Sequence, residues 1–69
     1  MRVRYDPHAD AVYFRLAEDA IVNSNQVQPG VILDFDAAGC VVGVEILGVK
    51  NRVPEASLTK MDFQVAGPA

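Results

Sequence analysis

Two blocks of alternating apolar residues, each interrupted by a turn of Asp, Pro or Gly, commit most of this chain to antiparallel sheet. The first is Tyr5-Asp6-Pro7-His8-Ala9-Asp10-Ala11-Val12-Tyr13-Phe14-Arg15-Leu16. The second is Gly30-Val31-Ile32-Leu33-Asp34-Phe35-Asp36-Ala37-Ala38-Gly39-Cys40-Val41-Val42-Gly43-Val44-Glu45-Ile46-Leu47. A period of two cannot serve an amphipathic helix, whose apolar residues recur at spacings of three and four. The pattern speaks for architecture much more than for activity.

In the first block, Pro7-His8-Ala9-Asp10 closes a hairpin in which Asp6 stands opposite Ala11. The remaining pairs are then Tyr5 with Val12, Arg4 with Tyr13, Val3 with Phe14 and Arg2 with Arg15. One face collects Val3, Tyr5, Val12, Phe14 and Leu16, and the other Arg2, Arg4, Tyr13 and Arg15. A slip of one residue would mix these sets, so the segregation fixes the register. Pro7 suits the first turn position, and the Asp6 side chain can accept from the turn amides. A polar connection leads to Ile21-Val22-Asn23-Ser24-Asn25-Gln26-Val27, a weaker strand suited to an edge.

The second block turns at Asp36-Ala37-Ala38-Gly39, the pattern of a type I turn closed by a bulged glycine. That bulge puts Phe35 opposite Val41, Asp34 opposite Val42 and Ile32 opposite Val44. One face then holds Val31, Leu33, Phe35 and Val41, and the other Ile32, Val42, Val44 and Ile46. A plain two-residue loop would instead gather Val31, Leu33, Phe35, Cys40, Val42, Val44 and Ile46 together, but leaves Gly39 without a purpose. Beyond Leu47 the alternation stops. Pro54 is placed as a first helical residue, with Glu55 and Lys60 set to complement the helix dipole. The expectation is a single α+β domain over residues 1–69. It has an antiparallel β-meander of about five strands within about 2–47 (2–6, 11–17, 21–27, 30–36 and 40–47), a short C-terminal helix at about 54–61 and a flexible tail at 64–69.

Sixty-nine residues make a small domain, and such chains usually need reinforcement from disulfides, a metal or a partner. Cys40 is the only cysteine and His8 the only histidine, which excludes an internal disulfide and a Cys/His zinc site. Self-association remains. Half the residues are apolar, and a second hairpin apolar on both faces needs cover on both sides. The expected partner is a second copy, in a homodimer through the sheet, with Val31, Leu33, Phe35 and Val41 as interface residues. One cysteine and no signal peptide suggest the cytoplasm. The longest uncharged stretches fall far short of a membrane span. A net charge of −3 argues against general nucleic-acid binding, which draws its affinity from phosphate neutralisation.

Both blocks resemble the bacterial and archaeal family catalogued as domain of unknown function 2283. Its members read Tyr-Asp-Pro-x-Ala-Asp-Ala-x-Tyr near the start, then Gly-Val-Ile-x-Asp-x-Asp-x-x-Gly-x-Val-x-Gly-x-Glu-Ile-Leu. The resemblance covers roughly residues 1–50. It departs at Ala37-Ala38, where an acidic pair is usual, and after Leu47, where Gly48-Val49 replaces an Asp-Ala-Ser-like segment. The family has no established activity, so the resemblance implies a fold and leaves the function open. It also implies an antitoxin-like role, since some small proteins of this kind sit beside compact toxin-like genes.

Three clusters are candidate sites. Asp6, His8 and Asp10 alternate along the first turn, where local backbone bonds suit the carboxylates better than a metal does. Asp34 and Asp36 lie on one side of a strand and would make a hard-cation site with Glu45; the bulged register puts Glu45 on the other face. Arg2, Arg4, Tyr13 and Arg15 form a basic, aromatic face suited to phosphate or RNA, but on an acidic chain such a face more often pairs with its own carboxylates. No nucleophile, base and stabiliser set is complete. The sequence therefore assigns no catalytic residue, cofactor or metal. It favours a non-enzymatic homo-oligomeric interaction module over two alternatives: an antitoxin-like partner of a small toxin, or a small metal- or ligand-dependent enzyme using Asp34 and Asp36.

Overall fold

The structure, a computed structural model, describes residues 1–67. Five strands form one antiparallel sheet: β1 (Arg2–Asp6), β2 (Ala11–Arg15), β3 (Asn23–Gln28), β4 (Val31–Phe35) and β5 (Val41–Leu47). Their order is β1-β2-β5-β4-β3, which corrects the expected meander. Read backwards from β5 through β4 and β3 to β2, the connectivity is that of a Greek key. Side-chain chemistry explains the reordering. β3 is exposed along its whole length and polar except for the bulged Val27, so it offers no apolar row to set beside Val12 and Phe14. β5 offers Ile46 and Val44, which stand directly opposite those two residues.

The connection from β2 to β3 therefore has to cross the end of the sheet. Leu16 and Ala17 donate their N–H groups to the Val42 carbonyl (2.8 and 3.4 Å), and Val22 donates to the Phe35 carbonyl (2.9 Å). Arg15 ties the crossing down by donating from Nη2 to the Asp19 carbonyl at 2.7 Å. Arg2 adds a two-pronged contact with Glu18 at 3.0 and 3.2 Å.

The first hairpin has the expected register at all five pairs, from Arg2 opposite Arg15 to Asp6 opposite Ala11. Asp6 Oδ1 accepts from the His8 and Ala9 amides at 2.9 and 3.4 Å. The second hairpin agrees at its turn. Asp36 Oδ1 accepts from the Ala38 and Cys40 amides (3.0 and 2.9 Å), and Gly39 has the positive φ of 81° that favours glycine. Phe35 stands opposite Val41, as expected.

Past that pair the expected register fails. Val42 is an extra residue in β5, so Asp34 faces Gly43 rather than Val42, and Ile32 faces Glu45 rather than Val44. Directly opposed residues share a face. Val3, Phe14, Val44 and Leu33 thus form one apolar row across the sheet, and Tyr5, Val12, Ile46 and Val31 a second. The other face carries Arg4, Tyr13, Glu45, Ile32 and Gln26, and beside them Arg15, Gly43, Asp34 and Ser24. The second hairpin is therefore apolar on one face only, and Val44 and Ile46 belong with Val31 and Leu33.

The expected helix at 54–61 is also absent. Two short 3-10 turns, Val49–Asn51 and Glu55–Thr59, take its place. Pro54 stands before the second with extended ψ of 139°, and Lys60 after it is extended again. Five residues are too few to repay helix nucleation, and Ser57 and Thr59 favour local side-chain bonding over a helical interior. Residues 64–67 carry no regular element, and residues 68 and 69 of the expected tail lie outside the described residues.

Asp10 joins this C-terminal part to the sheet. It is the only non-glycine residue with positive φ (50°) among the described residues. Its carbonyl accepts from the Val49 amide at 3.2 Å. Its carboxylate accepts from Tyr5 Oη at 3.0 Å and from the Lys50 amide at 3.2 Å. Val49, so held, is one of three buried apolar residues among the described ones, with Ala11 and Val42. Asp10→Ala should lower stability by about 2 kcal/mol in urea unfolding, through lost bonds and the left-handed backbone. Asp10→Asn, which tolerates that backbone, should lose less.

Candidate functional site

The polar face is organised by one carboxylate. Asp34 lies on β4 and is only 9% exposed. Its Oδ2 accepts from Tyr13 Oη of β2 at 2.8 Å, and its Oδ1 from Ser24 Oγ of β3 at 2.6 Å. The Tyr13 bond passes over β5, which separates the two strands. The residue beneath it is Gly43, where a Cβ would collide with Tyr13 Oη and stand 2.8 Å from Asp34 Oδ2. Glycine is required there by space rather than by backbone angle.

Burial, then the hydrogen bond to Asp34, raises the Tyr13 pKa above its usual 10.0, against a lowering from Arg15. Burial and the bond to Asp10 raise Tyr5 in the same way. Asp6 moves downward, because two turn amides favour its charged form.

The candidate site residues are distributed as follows. Asp34 and Glu45 share a face, contrary to the expected register, since each stands opposite a residue of the same polar row set. Asp34 is nevertheless committed to two hydroxyl donors and Asp36 to its own turn amides. Asp6 and Asp10 are likewise engaged, the first with the turn and the second with Tyr5 and Lys50. Among the described residues, no three of His, Cys, Asp or Glu gather in a group able to hold a metal ion. The basic face is partly self-neutralised through Arg2 and Arg15 with Glu18, and Arg15 also donates to the Asp19 carbonyl. Arg15 Nη1 is the one buried side-chain polar atom without a partner among the described residues. Arg4 makes no ion pair or hydrogen bond among them.

Two roles escaped the sequence reading. Asp10 resembles a plain turn residue until its long-range partner Lys50 is known. Asp34, set opposite Val42, had no partner; the polar residues Tyr13 and Ser24 were visible, but only the strand order brings them to it.

The apolar face carries Val31, Leu33 and Phe35 of the expected interface, with Val41 opposite Phe35. All four keep partial solvent exposure. The C-terminal part lies over the β1–β2 end of this face, where Val3, Tyr5 and Val12 line a groove of about 340 Å³ with Val49, Leu58 and Met61, and Arg52 reaches from it to the Leu47 and Pro29 carbonyls.

A family model, described as protein of unknown function (DUF2283), matches residues 2–50. The chain belongs to that family. The match begins at the first strand and ends within the first 3-10 turn, so the DUF2283 unit is the sheet together with the start of the Asp10 clamp. No curated protein and no solved structure matches the chain. Among the described residues no helix is long and apolar enough to cross a membrane.

Gly43→Ala should cost about 1–3 kcal/mol by overpacking, and Tyr13→Phe about 1–3 kcal/mol by leaving Asp34 short of a donor. Made together they should cost less than their sum, because the phenylalanine lacks the hydroxyl that the new Cβ strikes. Alkaline titration gives a separate test. Tyr5 and Tyr13 have raised folded values, so their contribution is intact below the unfolded value near 10.0 and declines as pH rises through the folded ones. Tyr13→Phe should flatten that decline.

Proposed function

We propose that this chain is a non-enzymatic, self-associating module whose apolar sheet face is closed by a second copy. The observation that carries the reading is the area left open. The chain exposes 5228 Å², whereas a compact monomer of 7.4 kDa exposes about 4,200 Å². The difference, about 1,000 Å², to which the open sheet face and the open segment at Met61, Phe63 and Val65 both contribute, compares with the roughly 800 Å² that each partner buries in a standard interface.

Shape supports the same conclusion. The extents are 37 × 36 × 18 Å and the radius of gyration 13.5 Å, against about 11 Å for a compact chain of this length. One twisted sheet with a partial lid is too thin to bury both of its apolar rows. Facing sheets pack about 10 Å apart with interdigitated side chains, and a two-fold contact makes the same patch serve both partners. Val31, Leu33, Phe35 and Val41 lie at the β4–β5 end, away from the groove under the C-terminal turns, and form the centre of the contact. Asp6, Asp10, Asp34 and Asp36 each accept from internal donors, which favours a structural module over an Asp34/Asp36 enzyme. An exposed free thiol at Cys40 fits a reducing, cytoplasmic setting.

Sedimentation equilibrium across the micromolar range should give a dimer, with an unfolding midpoint that rises with concentration. Phe35→Asp should dissociate or unfold it. Glu45→Gln, on the polar face, should leave the assembly unchanged. A cooperative monomer at micromolar concentration would overturn the reading.

A further inference from the structure

Met61, Phe63 and Val65 alternate with Asp62 and Gln64, which is the pattern of a strand. The structure leaves residues 61–65 without helix or turn. Lys60 before it is extended (φ −128°, ψ 137°). Gln64 Nε2 donates to Asp62 Oδ2 at 2.7 Å, so residues 62 and 64 project to one side and leave 61, 63 and 65 to the other. Yet it pairs with nothing. Met61, Phe63 and Val65 are 58, 72 and 77% exposed. Three large apolar side chains lie in the open on a segment without a turn.

We infer that residues 61–65 form a sixth strand on the free β1 edge of a second copy of this chain. The sheet has two open edges, β1 and β3, and each presents unpaired backbone groups to an incoming strand. They differ in what they would place beside the segment. On its apolar side β3 presents Asn25 and Asn23, the residues in line with Leu33 and Phe35. β1 presents Val3 and Tyr5 on its apolar side, and Arg2 and Arg4 on the other. An antiparallel pairing with Asp62 opposite Arg4 sets Phe63 opposite Val3 and Met61 opposite Tyr5. Phe63 and Met61 then extend the apolar rows, and the acidic residue meets Arg4, which makes no hydrogen bond or ion pair among the described residues and has only the Asp6 charge nearby. β3 offers no charge at all.

The segment's own β1 is a poorer acceptor. Met61 already borders the groove beside Val3, above the apolar face. Nothing from residue 60 to 65 turns the chain down and back along the same edge. A second copy accepts the segment without a turn, and the exchange is reciprocal about a two-fold axis. This inference rests on the self-association proposed above and adds a second contact to it.

The test uses the full chain in a Cys40→Ser background with Val3→Cys and Phe63→Cys, oxidised and run on a non-reducing gel. Opposed Cβ atoms in a sheet lie within reach of a disulfide. A covalent dimer is the expected result. An internal disulfide in a covalent monomer, or no disulfide, would overturn the inference. In wild-type background, Phe63→Asp should weaken the dimer by about tenfold or more. Asp62→Arg and Arg4→Glu should each weaken it several-fold, and the double reversal should recover most of the loss. A dimer that Phe35→Asp dissociates but Phe63→Asp leaves unchanged would remove the edge contact and keep the facing sheets. A chain monomeric without any substitution would remove both.

Discussion

One extra residue in β5 decides what this sheet can be. With Phe35 opposite Val41, an unbulged ladder would continue with Asp34 opposite Val42 and Leu33 opposite Gly43, and both faces would mix apolar with polar residues. Val42 absorbs one position, and everything after it changes sides. Val44 and Ile46 then join Leu33 and Val31, while Gly43 and Glu45 join Asp34 and Ile32. Val42 itself is the most buried side chain, 2% exposed, and its carbonyl receives the crossing segment through Leu16 and Ala17. The bulge thus sets the faces and anchors the β2–β3 connection at the same point.

The Asp34 network follows from that register. Only with Gly43 between Tyr13 and Asp34 can a hydroxyl on β2 reach a carboxylate on β4 over the strand between them. Ser24 extends the link to β3, so one side chain joins three strands and spans a fourth. Buried carboxylates are costly unless their oxygens are bonded, and both oxygens here are. The network fixes strand order as well as register, since a meander would carry β3 away from the far side of β4.

The first hairpin was legible in full because its arginines and apolar residues alternate without exception, and any slip would bury charge. The polar character of β3 was equally legible and pointed to an edge, but a meander would have put that strand in the middle of the sheet. Its neighbour could be found only by asking which strand carries apolar residues to match Val12 and Phe14. The turn at Gly39 was read correctly, and the second bulge at Val42 was missed for a different reason. Gly39 explains the turn without saying where β5 gains its extra residue, and the size limit that makes position 43 glycine comes from side chains on β2 and β4. Residues 54–61 had helical end signals, but Ser57 and Thr59 within so short a segment left the 3-10 form as the better local solution.

A two-faced sheet with two open edges risks open-ended growth, and the chemistry of each edge bears on how growth stops. β3 shows a ladder of Asn, Ser and Gln with a bulge at Val27 between Gln26 and Gln28, and bulged, polar edges pair poorly with another strand. β1 shows arginines, which repel a second β1 by like charge. An edge guarded by cations excludes its own kind and still admits a strand that carries an acid at matching parity. The segment around Asp62, proposed above as a sixth strand, carries that acid. Two copies that exchange these segments use up both β1 edges, and copies that meet through their apolar faces use up both faces. In the proposed dimer the face held by Asp34 and the β3 edge would remain exposed, and the charge and the bulge together would limit the assembly to two.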